Sequence, residues 1–233
     1  MNILITGASR GMGRAIARKM AENSANLALC ARNYDELSAL KQELEANNPA
    51  IKVFIAVVDC SKKEELMLFA DNAEQNLGFI DTLINNVGLF KPINILDEEE
   101  DYLKMQMDVN LFAPYYLYKR LGQKMRTMKQ GSIINICSVA SKEAIVNAGS
   151  YCVTKAALLS LNNIMREELK TYDVKVTAIL PGSTLTSSWD GVQIPADEFV
   201  REEDVAEVVH TVLSLSKGAN VDEITIKPLH GQI

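Results

Sequence analysis

Tyr151 and Lys155 stand four residues apart in the stretch SYCVTKAALLSL. Positions i and i+4 share a helix face, so the pair sets an ammonium beside a phenol. That arrangement suits proton transfer. A phenol titrates near pH 10, and bringing it to about 7 takes roughly 4 kcal/mol. One positive charge about 4 Å away supplies roughly that much at an effective dielectric near 20. The spacing alone is weak evidence, because 7 Tyr and 16 Lys in 233 residues give roughly half such a pair by chance. Tyr115 and Lys119, in PYYLYKR, are a second instance. Whatever separates the two pairs must come from the elements that carry them.

Those elements are legible as short apolar runs alternating with segments of helical period. NILIT precedes a helix over 12–23, NLALCA one over 34–46 and IKVFIAVV one over 62–76. DTLIN leads to a long helical region from about Glu98 to Met128 and GSIINICS to a helix from Ser150 to Lys170. VKVTAIL leads to a helix from Glu202 to Leu215, and EITIK closes the series. Nearly continuous apolar strands separated by helices predict a parallel sheet covered on both faces. The expectation is a single doubly wound α/β (Rossmann) domain with seven strands, since no linker or repeat divides the chain. The least periodic stretch, PGSTLTSSWDGVQIPADEFV, runs from Pro181 to Val200 after the sixth strand. Ligands of such sheets bind beyond the carboxyl ends of the strands, so a substrate lid is expected at about 183–204.

A formal charge of −6 and a pI near 5.1 argue against a nucleic-acid or anionic-membrane partner. No apolar stretch approaches the roughly 20 residues of a membrane-spanning helix, and the first residues do not read as a leader. The four cysteines, Cys30, Cys60, Cys137 and Cys152, form no Cys-x-x-Cys pair. They read as buried thiols in a reducing compartment, so a cytoplasmic protein with no metal and a small-molecule partner is expected.

The first strand runs into TGASRGMGRAIARKM, with Gly7, Gly11 and Gly13 between strand and helix. Glycines here permit a tight turn and close approach of backbone N–H groups to a phosphate, while the helix N-terminus adds partial positive charge. The spacing T-G-x-x-x-G-x-G is not that of a nucleoside-triphosphate loop. A carboxylate at the end of the second strand would take a ribose 2′-hydroxyl and repel a 2′-phosphate. Here that strand ends LALCARN with Arg32, and Arg10 lies in the glycine turn. A pair of guanidinium groups favours NADP(H) over NAD(H); the alternative for each arginine is a solvated surface charge.

Further motifs follow in order: VDC with Asp59 after the third strand, NNVG at 85–88 after the fourth, and Asn110 in the long helix. Ser138 closes SIINICS, YCVTK follows, and PGSTLT stands at 181–186. Over essentially its full length the chain resembles the short-chain dehydrogenase/reductase family, of the NADP-preferring carbonyl reductase type. The resemblance implies a catalytic tetrad of Asn110, Ser138, Tyr151 and Lys155. In it Tyr151 exchanges the proton, Lys155 lowers its pKa and holds the nicotinamide ribose, Ser138 orients the substrate oxygen, and Asn110 holds a kink and a relay water. It also implies cofactor contacts from Gly7, Ser9, Arg10, Gly11, Met12, Gly13, Arg32, Asp59, Cys60, Asn86, Gly88, Tyr151, Lys155, Pro181, Gly182, Thr184 and Thr186. Asp59 would meet the adenine amino group, Asn86 and Gly88 the ribose and diphosphate path, and Thr184 and Thr186 the carboxamide and diphosphate. Val87, Met12 and Thr184 depart from the residues usual at those positions, and none of the three removes a reacting group.

Substrate contacts are expected from Ser138, Ala140, Ala144, Ile145, Val146 and Asn147 and from Trp189. This mainly apolar set favours a neutral or lipophilic carbonyl compound or secondary alcohol. β-Ketoacyl carrier-protein reductase and sepiapterin-reductase-like activities stand as alternatives, and a non-catalytic NADP-binding regulator as a remote one. The resemblance also implies a homodimer or homotetramer joined through the long helix and the tyrosine-bearing helix, with Tyr115, Tyr116 and Tyr118 at an interface or in the core.

Overall fold

A computed structural model describes residues 1–186 and 194–231. The strands are β1 (Asn2–Thr6), β2 (Asn26–Ala31), β3 (Val53–Val57), β4 (Thr82–Asn85), β5 (Gly131–Ile136), β6 (Val174–Pro181) and β7 (Glu223–Ile226). All pair in parallel in the order β3-β2-β1-β4-β5-β6-β7. The chain reverses its direction of travel between β1 and β4, and the crevice that forms at such a switch point is where open α/β sheets bind ligands.

Side-chain alternation along the strands divides the core in two. Ile3, Ile5, Leu27 and Leu29 pack with the helices Gly11–Glu22, Tyr34–Asn47 and Glu202–Ser214. Leu4, Ala28, Leu83, Ile133 and Val176 point the other way, toward the helices Lys63–Leu77, 102–128 and Gly149–Leu169. Both faces are therefore covered, which is why the strands read as unbroken apolar runs. The seven-stranded parallel sheet and the single domain agree with the sequence pattern.

Differences lie at the ends of elements. The long helix starts at Tyr102, and Ile95–Asp97 forms a separate 3-10 turn. Strand β5 stops at Ile136, so Cys137 and Ser138 lie beyond the sheet edge. Of the expected lid, residues 202–204 belong instead to the helix that begins at Glu202, where three acids favour the N-terminal turn. A parallel bridge joins Thr184 to Val200, fastening the two flanks of the segment together. Trp189 lies outside the described residues.

Candidate active site

The long helix is interrupted where the site needs it. Asp108–Phe112 forms one π turn and Tyr118–Gly122 a second. Pro114 has no N–H, so the carbonyl of Asn110 lacks its ordinary helical donor and the turn widens. The widened turn carries the fully buried Asn110 inward. Its Oδ1 accepts from the Leu89 N–H at 2.7 Å, while Nδ2 donates to the Leu89 carbonyl and to Thr154 Oγ1, each at 3.0 Å. Thr154 in turn donates to the Tyr151 carbonyl at 2.9 Å. Asn110 thus clamps the loop after β4 to the helix that bears Tyr151 and Lys155.

Lys155 is 3% exposed and donates to the Ile136 carbonyl at 2.9 Å, at the last residue of β5. A Cβ on Gly88 would stand 3.5 Å from its Nζ and 3.8 Å from Asn110 Oδ1, which places Gly88 at the same point of the site. Ser138 begins the 3-10 turn Val139–Ser141, where its Oγ accepts from the Ala140 N–H at 3.1 Å and its own N–H donates to Ser141 Oγ at 3.3 Å. Ser138, Tyr151, Lys155 and Asn110 converge beyond the carboxyl ends of β4 and β5. A ladder of three buried amides supports them from below: Asn85 donates to Asn135 at 2.8 Å and Asn135 to Asn162 at 2.9 Å.

The electrostatics of the chain by itself are dominated by burial. Burial pushes the Tyr151 phenol up to about 12; the Ser138 hydroxyl pulls it down, and Cys137 and Cys152 push it further up. Burial also holds the Lys155 ammonium below its ordinary range, with Cys137 acting in the opposite direction. Lys155 Nζ lies 5.7 Å from the centre of the Tyr151 ring. Burial of the phenolate is the leading cause, so the chain's own groups favour Tyr151 as a neutral phenol, the form that donates a proton.

At the switch point, Gly7 and Gly11 have φ of +66° and +57°. A Cβ on Gly13 would meet the Gly7 carbonyl at 2.2 Å and Asn86 Nδ2 at 2.5 Å. Only glycine fits at Gly13, and the turn leaves a concave backbone surface at a helix N-terminus, as a diphosphate requires. A dinucleotide therefore suits these residues. Ser9 is buried and Met12 packs against the core, so both build the turn. Asn86 does likewise: its Nδ2 donates to the Thr6 and Gly7 carbonyls, each at 3.0 Å, so both donor hydrogens are used within the turn. Arg10 and Arg32 are exposed, at the start of the first helix and just past β2. Arg32 contributes to lowering the Asp59 carboxyl, after the leading effect of the Ser61 hydroxyl bond. Asp59 Oδ1 accepts from Ser61 N at 3.0 Å and Oγ at 2.8 Å, so that oxygen caps a turn, and Cys60 is buried beside Cys30 in the core.

Pro181, the last residue of β6, is buried, and Gly182 N–H donates to the Ile226 carbonyl at 2.7 Å. Thr184 is 6% exposed and spends its hydroxyl on the Gly182 carbonyl at 3.0 Å, so its side chain closes a turn. Thr186 reaches the glycine turn, 3.5 Å from where a Gly11 Cβ would stand.

Among the expected substrate residues, Ala140 is buried behind Ser138, whereas Val146 is 84% exposed. Asn147 adopts φ +62°, and its carbonyl accepts from Ile93 N–H at 2.6 Å, joining the loop after β4 to the loop before Tyr151. That loop brings a residue the sequence reading missed. Phe90 packs edge-on against Tyr151, with ring centres 4.9 Å apart. Its only sequence signal is an aromatic two residues past NNVG. Among the described residues no cluster is placed to hold a metal ion, and no helix is long and apolar enough to cross a membrane.

Comparison with known proteins agrees with this fold. The family model described as short chain dehydrogenase matches residues 1–194. An uncharacterized oxidoreductase of Staphylococcus aureus (strain MRSA252) is 32% identical over 97% of this chain and 96% of its own. The alcohol dehydrogenase of the archaeon Thermococcus sibiricus, solved with 5-hydroxy-NADP, superposes with a TM-score of 0.92 at 27% identity, over 100% of this chain and 98% of that one. A metagenomic short-chain oxidoreductase solved with NADP gives 0.86 at 29% identity, over 98% and 96%. With the sheet order, the glycine turn and the cluster around Tyr151 in agreement, the chain belongs to the short-chain dehydrogenase/reductase family of oxidoreductases.

Proposed function

We propose that the protein is an NADP(H)-dependent oxidoreductase that interconverts a carbonyl group and a secondary alcohol on a neutral or lipophilic small molecule. The observation that carries this reading is the convergence of Ser138, Tyr151, Lys155 and Asn110 beside the glycine turn. Hydride delivery to the carbonyl carbon is the chemistry asked of the bound nicotinamide. Tyr151 donates its phenolic proton to the carbonyl oxygen in reduction and takes it back in oxidation. Ser138 Oγ hydrogen-bonds that oxygen and orients it, and Lys155 sets positive charge behind the phenol as it ionises. Asn110 keeps Leu89 and Thr154 in register with the reacting pair.

Arg10 and Arg32, with no acid at the end of β2, support NADP(H). The related structures solved with NADP or an NADP derivative point the same way. An apolar rim supports a lipophilic substrate: Phe90 on Tyr151, with Ile145 and Val146 exposed beside it. Lys142 and Lys227 pair with Glu223 and Glu143 at the surface, and β-ketoacyl carrier-protein reductase activity stands as the alternative. Exposed Met105, Phe112, Tyr115, Val153 and Ile164 on the two long helices suit a dimer or tetramer interface, which light scattering tests. The unpaired thiols suit a cytoplasmic setting.

The test is oxidation of NADPH and NADH in parallel with a panel of ketones. Turnover with NADPH and an apolar ketone, abolished by Tyr151→Phe, is the expected result. Cofactor binding without turnover of any ketone, unchanged by that substitution, favours the non-catalytic regulator.

A further inference from the structure

A carboxylate that no motif marks sits at the glycine turn. Glu202 opens the helix Glu202–Ser214, which packs along the helix that follows the turn. Its Oε2 lies 3.8 Å from the position of a Cβ on Gly11, and Thr186 Cγ2 is 3.5 Å from that same point. Glu202, Thr186 and the N-terminus of the first helix therefore meet beside Gly11. The Glu202 side chain keeps only 17% of its exposure. Its counter-ion is loose, since Arg14 Nη2 approaches Oε1 only to 3.9 Å, beyond hydrogen-bond length. Arg14 Nε is buried with no hydrogen-bond partner among the described residues. An acid beside a diphosphate site opposes what a helix N-terminus is suited to bind.

We infer that Glu202 belongs to the cofactor site as an anionic brake: its charge opposes the diphosphate, and binding of the dinucleotide draws a proton onto its carboxyl or draws Arg14 closer to it. This rests on the reading of the turn as a dinucleotide site. The charged groups that face Glu202 are Arg14 and Arg18 from the first helix and Glu203 from its own. Burial and then Glu203 raise its carboxyl above the ordinary range, while Arg14 and Arg18 pull it down. A bound diphosphate adds negative charge and raises it further, so binding weakens as pH rises and is accompanied by proton uptake.

Calorimetric titration with NADP+ alone, near pH 8 and near pH 5.5, in buffers of unlike ionisation enthalpy, reads both affinity and proton uptake. Glu202→Gln is expected to bind about tenfold more tightly near pH 8, with the gain shrinking near pH 5.5 and proton uptake reduced. Glu203→Gln, an exposed charge on the same turn, is expected to change affinity less than about twofold. Arg14→Gln is expected to weaken binding, and to do so less in the Glu202→Gln background, a coupling between contacting residues. Glu202→Gln with unchanged affinity and proton uptake, in a protein that binds NADP+, overturns the inference and leaves the dinucleotide site standing. A wild-type protein that does not bind NADP+ or NADPH overturns both.

Discussion

The two Tyr-x-x-x-Lys pairs are the same local object in different surroundings. In each, the lysine Nζ lies 5.7 Å from the centre of the tyrosine ring. Tyr115 is 39% exposed on the outer side of the long helix, beside Tyr116 and Phe112. Lys155 is 3% exposed, and its pair faces Ser138, Phe90 and the Asn110 clamp. Helical spacing dictates the ammonium–ring geometry wherever it occurs. Reactivity needs desolvation and a third group, and only the neighbourhood of β5 provides them.

The comparison breaks most easily at the phenols. Tyr151→Phe is expected to lower kcat by about 1,000-fold, within the span of general acid–base catalysis, while leaving the affinity for NADP+ intact. Tyr115→Phe is expected to stay within about twofold of the wild type. Equal losses in steady-state assays would erase the distinction between the pairs.

Ser138→Ala tests the third group, which Tyr115 lacks. Removing one hydrogen-bond donor to the reacting oxygen is expected to lower kcat by about 100-fold with little change in melting temperature. Asn110→Ala tests the clamp. It strands the Leu89 N–H and removes the donor to the Leu89 carbonyl and to Thr154 Oγ1, and a loss of about 1–3 kcal/mol is expected in urea unfolding. Activity should fall along with it as Tyr151 loses its register.

The smallest effect concerns pH. The folded protein raises the Tyr151 phenol from the ordinary 10 to about 12. The fold thus prefers the neutral phenol, and that contribution to stability is complete below pH 10 and lost as pH climbs toward 12. Melting curves across this window should fall less steeply for Tyr151→Phe than for wild type, and ultraviolet difference spectra should show one fewer late-titrating phenol in the variant, the phenols of Tyr102 and Tyr118 also being raised. A phenol titrating below 10 in the free protein would show that Lys155 dominates after all.

Strand identity was readable because a sheet buried on both faces needs apolar residues at most positions, as NLALCA and VKVTAIL display. The glycine turn was readable because positive φ and close backbone approach leave few residue types that fit. Asn86 and Thr184 were harder. Their side chains point into the turns they stabilise, and a polar residue next to glycine looks the same whether it binds a ligand or its own backbone. Phe90 and Glu202 left almost no trace, since each acts through a neighbour from a different element.

By itself, then, the sequence determined the order of strands and helices, the glycine turn and the four residue types of the cluster proposed to react. These follow from local periodicity and backbone sterics, which depend on near neighbours in the chain. The tertiary structure decided which Tyr–Lys pair has a buried lysine and which carboxylate stands over Gly11. Those depend on desolvation and on distances between residues far apart in the chain, such as Asn110 and Thr154 or Gly11 and Glu202.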